Sequence, residues 1–216
     1  MSNQRITVLD YGMCNLFSVV RAFEYCGAAV EVVEDPAQVA FAERLVVPGV
    51  GAFRDSMREI VGRGYDEAIK GFVETGRPLF GICVGMQMLF DASEEFGIHP
   101  GLSILPGRVQ SIPKLSRNGA EPLRVPHIGW SHLQEPRSRT WSGSFLEPLQ
   151  GLSPAVYFVH SFVAIPGRET DLLAECDYGG HMLCAAVQHQ NVMATQFHPE
   201  RSGIIGLNII RNFCAL

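Results

Sequence analysis

A cysteine set between glycines, Gly81-Ile82-Cys83-Val84-Gly85, is the stretch whose residue types and spacing could do chemistry. Residues 78–82 before the sulfur read as a short buried strand. Residues 86–92 after it read as the start of an amphipathic helix. A thiol at such a junction has the arrangement of the G-x-S-x-G nucleophile elbow. The glycines let the chain turn sharply and let helix and strand approach closely, which leaves the side chain at the tip. A helix start points free N–H groups at the sulfur and favours the thiolate, the reactive form. Taken alone, the same residues also fit a small buried Cys in a tight turn, because short motifs recur by chance.

A second group, His198-Pro199-Glu200, could supply the base. Proline disfavours helix at the residue before it, so the tripeptide is expected to be extended, with His198 and Glu200 pointing the same way. A carboxylate that holds one imidazole nitrogen leaves the other free as a base. A His before Pro is by itself most simply a surface turn. Beside an elbow cysteine it completes a nucleophilic set of Cys83, His198 and Glu200, whose members need not be close in sequence. A third loop, Pro48-Gly49-Val50-Gly51, fits either a plain turn or the source of an oxyanion-hole N–H, from Val50 or Gly51, alongside that of Val84. Of the other histidines, His99, His132, His181 and His189 read as exposed loop or strand-edge residues. His127, near Gly129 and Trp130, reads as lining a surface, and His160, beside Ser161 at a strand end, as approaching the site. No His pair has the i, i+4 helical spacing of a metal site, so neither a metal nor a cofactor is expected.

The elements that must position these groups follow a rhythm. Residues 5–10, 29–33 and 44–47 read as strands, 18–25 as a helix stopped by Gly27, and 36–40 as a short helix. Such alternation implies parallel pairing with helical crossovers. Ligands of an open parallel sheet sit beyond the carboxyl ends of its strands, so the loops after the first strand, the third strand and the Cys83 strand should crowd one rim. Residues 57–61 and 65–73 read as helical. From Val109 onward short strands and turns take over, with a polar loop at 113–124. Residues 183–188 and 192–197 read as a hairpin, and 202–213 as a closing helix. The expected fold class is α/β: a mostly parallel central sheet flanked by helices, with an antiparallel C-terminal extension, in one domain over residues 1–216.

Composition sets the remaining bounds. A chain of 216 residues, 47% hydrophobic and 18% charged, is long enough for a core without staples. A net charge of -5 offers no basic patch, which argues against nucleic acid as a partner. Residues 1–10 do not read as a signal peptide, and no apolar stretch approaches the ~18 residues of a membrane span. A cytoplasmic location with six reduced cysteines is expected.

With these residues in view, the chain resembles the class I glutamine amidotransferases, which carry a Cys-His-Glu triad on a flavodoxin-like fold. Within that family it is similar to the glutaminase subunits that serve imidazole glycerol phosphate synthase in histidine biosynthesis. The matching pieces are Asp10-Tyr11-Gly12-Met13 with Asn15-Leu16, Pro48-Gly49-Val50-Gly51, the elbow, Val125-Pro126-His127-Ile128-Gly129-Trp130, Tyr157-Phe158-Val159-His160-Ser161, and Gln196 through Gly203. Cys14, where many members have Gly, and Ser131, where Asn is common, depart from the pattern. The resemblance implies hydrolysis of glutamine through a glutamyl thioester, with Gln87, Glu95, Ser161 and Phe162 holding the substrate. It implies a separate cyclase partner built as a (β/α)8 barrel, forming a heterodimer and receiving the ammonia. Asn15, His127, Trp130, Tyr157, His160 and Arg201 would face that partner. A glutaminase feeding another acceptor, such as a sugar amidotransferase or pyridoxal phosphate synthase, or a stand-alone cysteine hydrolase, stays open at this point.

Overall fold

The computed structural model describes residues 4–216, so the part of the N-terminal reading that falls on residues 1–3 lies outside them. The first half of the chain alternates as expected. β1 (Arg5–Leu9) leads to α1 (Leu16–Tyr25), β2 (Ala29–Val33), a 3-10 turn (Pro36–Phe41) and β3 (Leu45–Gly49). Then come α2 (Phe53–Gly62), α3 (Tyr65–Glu74), β4 (Leu79–Cys83) and α4 (Val84–Met88). β3 and β4 are buried at every position, as apolar strands covered on both faces must be.

The second half is richer in strands: β5 (Phe90–Ser93), β6 (His99–Pro100), β7 (Leu105–Ser111), β8 (His127–Gln134), β9 (Ala155–His160) and β10 (Phe162–Pro166). β11 (Leu172–Tyr178), β12 (His181–His189), β13 (Val192–Thr195) and the closing α5 (Gly203–Ala215) complete the chain. The main sheet runs β2-β1-β3-β4-β13-β12-β11-β8-β9. Its first five strands pair in parallel and the rest pair antiparallel.

A second sheet, ordered β10-β7-β5-β6, replaces part of the expected helix over 86–92. α4 stops at Met88, and all five of its residues are buried, so it has no solvent-exposed face. The apolar run then continues as β5, with Phe90 opposite Leu105 of β7. A short apolar run does not distinguish strand from buried helix by its period.

Three neighbouring parallel strands end together. Gly49 of β3 lies opposite Cys83 of β4, and Thr195 of β13 lies opposite Ile82. Aromatic packing braces this rim from below. The Phe80 ring of β4 sits 5.1 Å from Phe213 of α5 and 5.6 Å from Phe145. Phe213 in turn meets Phe23 of α1 edge-on at 6.2 Å, and such pairs add roughly 0.5–1.5 kcal/mol each beyond their buried area. Among the described residues no helix is long and apolar enough to cross a membrane.

Candidate functional site

Cys83 has φ 56° and ψ −112°. A side-chain-bearing residue held there costs on the order of 1–3 kcal/mol, so the surroundings must impose it. They do so by close contact. A Cβ added at Gly85 would lie 1.9 Å from the Val47 carbonyl oxygen. One added at Gly49 would lie 2.7 Å from both the Gly85 nitrogen and the Tyr11 hydroxyl. Helix α4 therefore begins directly against β3, and only glycine fits at the contact. The first N–H groups of a helix have no acceptor within it, so the Val84 N–H is free of helical bonding beside the sulfur.

His198 is fixed through its backbone. Its N–H donates to the Tyr157 carbonyl at 3.0 Å. The Ser202 hydroxyl donates to the His198 carbonyl at 2.6 Å and accepts the Tyr157 N–H at 3.0 Å. The tripeptide is not extended throughout, as the sequence suggested. His198 is extended at φ −99° and ψ 98°, but Pro199–Arg201 form a 3-10 turn. Proline suits the first position of a helical turn as well as it discourages helix before it. The turn still brings Glu200 Oε1 to 2.8 Å from His198 Nδ1, with both side chains almost fully buried. α5 closes over it: a Cβ at Gly206 would meet the Pro199 oxygen at 1.9 Å.

Burial opposes charge on the His198 ring. The Cys83 sulfur and the Glu200 carboxylate outweigh it, and the imidazole is pushed up to about 10. Its Nε2 is buried and has no hydrogen-bond partner among the described residues.

Cys83 and His198 line one cavity of about 300 Å3, at the small end of the range for small-molecule sites. Val50, Gly51, Val84, Gln87, Glu95, Ser161 and Phe162 also line it. Gln87 is buried rather than on an exposed helix face. Its Nε2 donates to the Phe162 carbonyl at 3.1 Å and to Gln196 Oε1 at 2.8 Å. Glu95 Oε2 accepts the Phe53 N–H at 2.6 Å, capping α2, whose own N-cap residue Ala52 offers no side-chain bond. The Val50 N–H is already engaged: it donates to the Met13 carbonyl at 2.9 Å, tying the loop after β3 to the loop after β1.

Asn15, Trp130 and Arg201 are exposed, and the Arg201 guanidinium lies 4.4 Å above the ring of half-buried Tyr157. His127 and His160 do not face outward. They are 3% and 6% exposed, directly opposite each other in the β8–β9 register, with His127 Nδ1 3.1 Å from His160 Nε2. His127 also stacks on Phe158 and Tyr178, an apolar setting that removes it from the surface. Burial, reinforced by the neighbouring His127 and His198 rings, pushes His160 down to about 3. His189, expected to be exposed, is half-buried with its Nδ1 3.0 Å from Asp171. Sequence reasoning gave Gln196 no role, yet its Nε2 lies 3.6 Å from the Cys83 sulfur. Only its place just before the His-Pro-Glu group could have drawn attention to it.

The model of the family "Glutamine amidotransferase class-I" matches residues 7–215. The imidazole glycerol phosphate synthase subunit HisH of Syntrophotalea carbinolica is 48% identical over 96% of this chain and 98% of its own length. The protein of the same name from Geobacter sulfurreducens is 46% identical, covering 97% of each chain. Among solved structures, PurLQS from Thermotoga maritima superposes with a TM-score of 0.73 at 18% identity, over 98% of this chain and 97% of that one, a likeness of fold. The chain belongs to the class-I glutamine amidotransferases, in the branch of the HisH subunits of imidazole glycerol phosphate synthase.

Proposed function

We propose that this chain, as a single amidotransferase domain, hydrolyses glutamine at Cys83 and hands the ammonia to a cyclase subunit. The Cys83 sulfur attacks the side-chain carboxamide carbon, forming a C–S bond. The oxyanion is received by the Val84 N–H and by an N–H from the Val50-Gly51 loop. His198 Nε2 takes the thiol proton and delivers it to the departing nitrogen, the C–N bond breaks, and ammonia leaves a glutamyl thioester. Water, deprotonated by the same nitrogen, then releases glutamate and restores the sulfur. Glu200 holds Nδ1 and stabilises the imidazolium. Gln87, Glu95, Ser161 and Phe162 hold the substrate. Asn15, Trp130, Tyr157 and Arg201 belong to the surface presented to the partner, a (β/α)8 barrel in this reading.

The observation that carries this reading is the buried His198 Nε2, which has no hydrogen-bond partner among the described residues and shares a cavity with Cys83. The Val50 N–H, tied to Met13, supports a further expectation: the isolated chain should turn over glutamine slowly until the partner reorients that loop. Ammonia release from glutamine, measured with and without a cyclase subunit of imidazole glycerol phosphate synthase, tests both parts. Activation by the cyclase and loss in Cys83→Ala are expected. Full activity without any partner would refute the coupling, and turnover in Cys83→Ala would refute the nucleophile.

A further inference from the structure

The Phe162 carbonyl accepts two hydrogen bonds, from Gln87 Nε2 at 3.1 Å and His160 Nδ1 at 2.9 Å. A carbonyl oxygen can only accept, so the orientation of both side chains is decided at this atom. On one side, the Gln87 amide group must turn its NH2 toward Phe162. The same NH2 donates to Gln196 Oε1 at 2.8 Å. That turns the Gln196 NH2 the other way, to 3.6 Å from the Cys83 sulfur. Flipping Gln87 would set oxygen against oxygen at Phe162, and flipping Gln196 alone would set NH2 against NH2. On the other side, His160 with its proton on Nδ1 offers Nε2 as an acceptor to His127 Nδ1–H at 3.1 Å. His127 Nε2 then accepts from the Ser131 hydroxyl at 2.9 Å. One carbonyl thus orders an unbroken polar chain from Ser131 to the catalytic sulfur.

We propose that Gln196 is a further functional residue of this site: its side-chain N–H donates to the Cys83 sulfur and holds it as the thiolate, in an orientation imposed through Gln87 by the Phe162 carbonyl. A thiol is a weak acceptor and a thiolate a strong one, so an N–H aimed at sulfur favours the charged form. Gln196 is fully buried, so no water competes for that N–H.

The inference rests on Cys83 being the nucleophile proposed above, and the two fail separately. The test is the rate of Cys83 alkylation by iodoacetamide across pH, followed on the Cys83 peptide by mass spectrometry, with neither glutamine nor partner present. In Gln196→Glu and Gln196→Met, both without an N–H to give, the rate near neutral pH should fall about tenfold and the pH–rate profile should move to higher pH. A profile unchanged in folded variants overturns the inference. Should both variants fail to fold, the side-chain amide resonance of Gln196 in the 15N-labelled parent decides. It should move on Cys83→Ala, and a resonance that stays put overturns the inference. Turnover retained by Cys83→Ala would remove the glutaminase reading instead. An indifferent alkylation profile in an enzyme that still needs Cys83 would remove only the role of Gln196.

Discussion

The cavity has two walls that each carry a buried imidazole. His198 stands on the wall built from the parallel strands, and His160 on the wall built from the antiparallel strands β8 and β9. Their exposures are nearly the same, 5% and 6%. Burial pushes both rings toward neutrality, yet one is pushed up to about 10 and the other down to about 3. The difference lies in what each ring faces. His198 has the Glu200 carboxylate and the Cys83 sulfur, whereas His160 has a carbonyl and a second imidazole. Desolvation decides the sign only where no anion is within reach. The site therefore has one wall able to carry a proton through the reaction and one that stays neutral and gives shape.

The largest effect that would sharpen this contrast is on turnover. With the cyclase present, His198→Ala should lower glutamine hydrolysis by roughly 10^4-fold or more, as loss of a general base does in other triads. His160→Ala should cost no more than about a hundredfold, the scale of misplaced geometry. Equal losses would erase the distinction between the walls. Next in size, Glu200→Gln should lower turnover by about 10^2–10^4-fold and bring the His198 titration down, seen in the 15N shifts of the ring. In the parent the folded-state value, about 10, lies above the unfolded value of about 6.5. Its contribution to stability is complete below pH ~6.5 and is lost as pH rises toward about 10. Urea unfolding across that range should show a smaller slope in Glu200→Gln, the Cys83 sulfur keeping the remainder. Smallest, the neutral wall should weaken the fold in acid. His160 at about 3 lies below its unfolded value, so protons favour the unfolded chain and stability should fall as pH drops from ~6.5 toward 3. His160→Gln should flatten that fall, and a parent already flat would show that His160 is not held neutral.

Much of the parallel half was legible in the sequence, because each of its parts has a local signal. β2 lies at the residues read as a strand, and the glycines of the elbow answer to contacts of 1.9 and 2.7 Å that forbid a side chain. The antiparallel half was less legible. That His127 and His160 meet is a matter of strand register across 33 residues, which no local pattern encodes. The end of α4 at Met88 was hidden because a helix buried on every side has no period to read. The tie between Val50 and Met13 joins two loops, and loop backbone bonding has no signature in residue type. Gln196 gains its place from Gln87, itself oriented by a carbonyl belonging to Phe162. Such an arrangement exists only after α4, β10 and the end of β13 have come together.

The pairing of Gly49 with Cys83 has a mechanical consequence. Adjacent strands stand about 4.8 Å apart, so the segment that bends away after Gly49 starts one rung of the ladder from the nucleophile. In the proposed coupling, a push delivered there by a docking subunit needs no long wire through the interior, because it reaches the nucleophile's strand in a single step of the sheet.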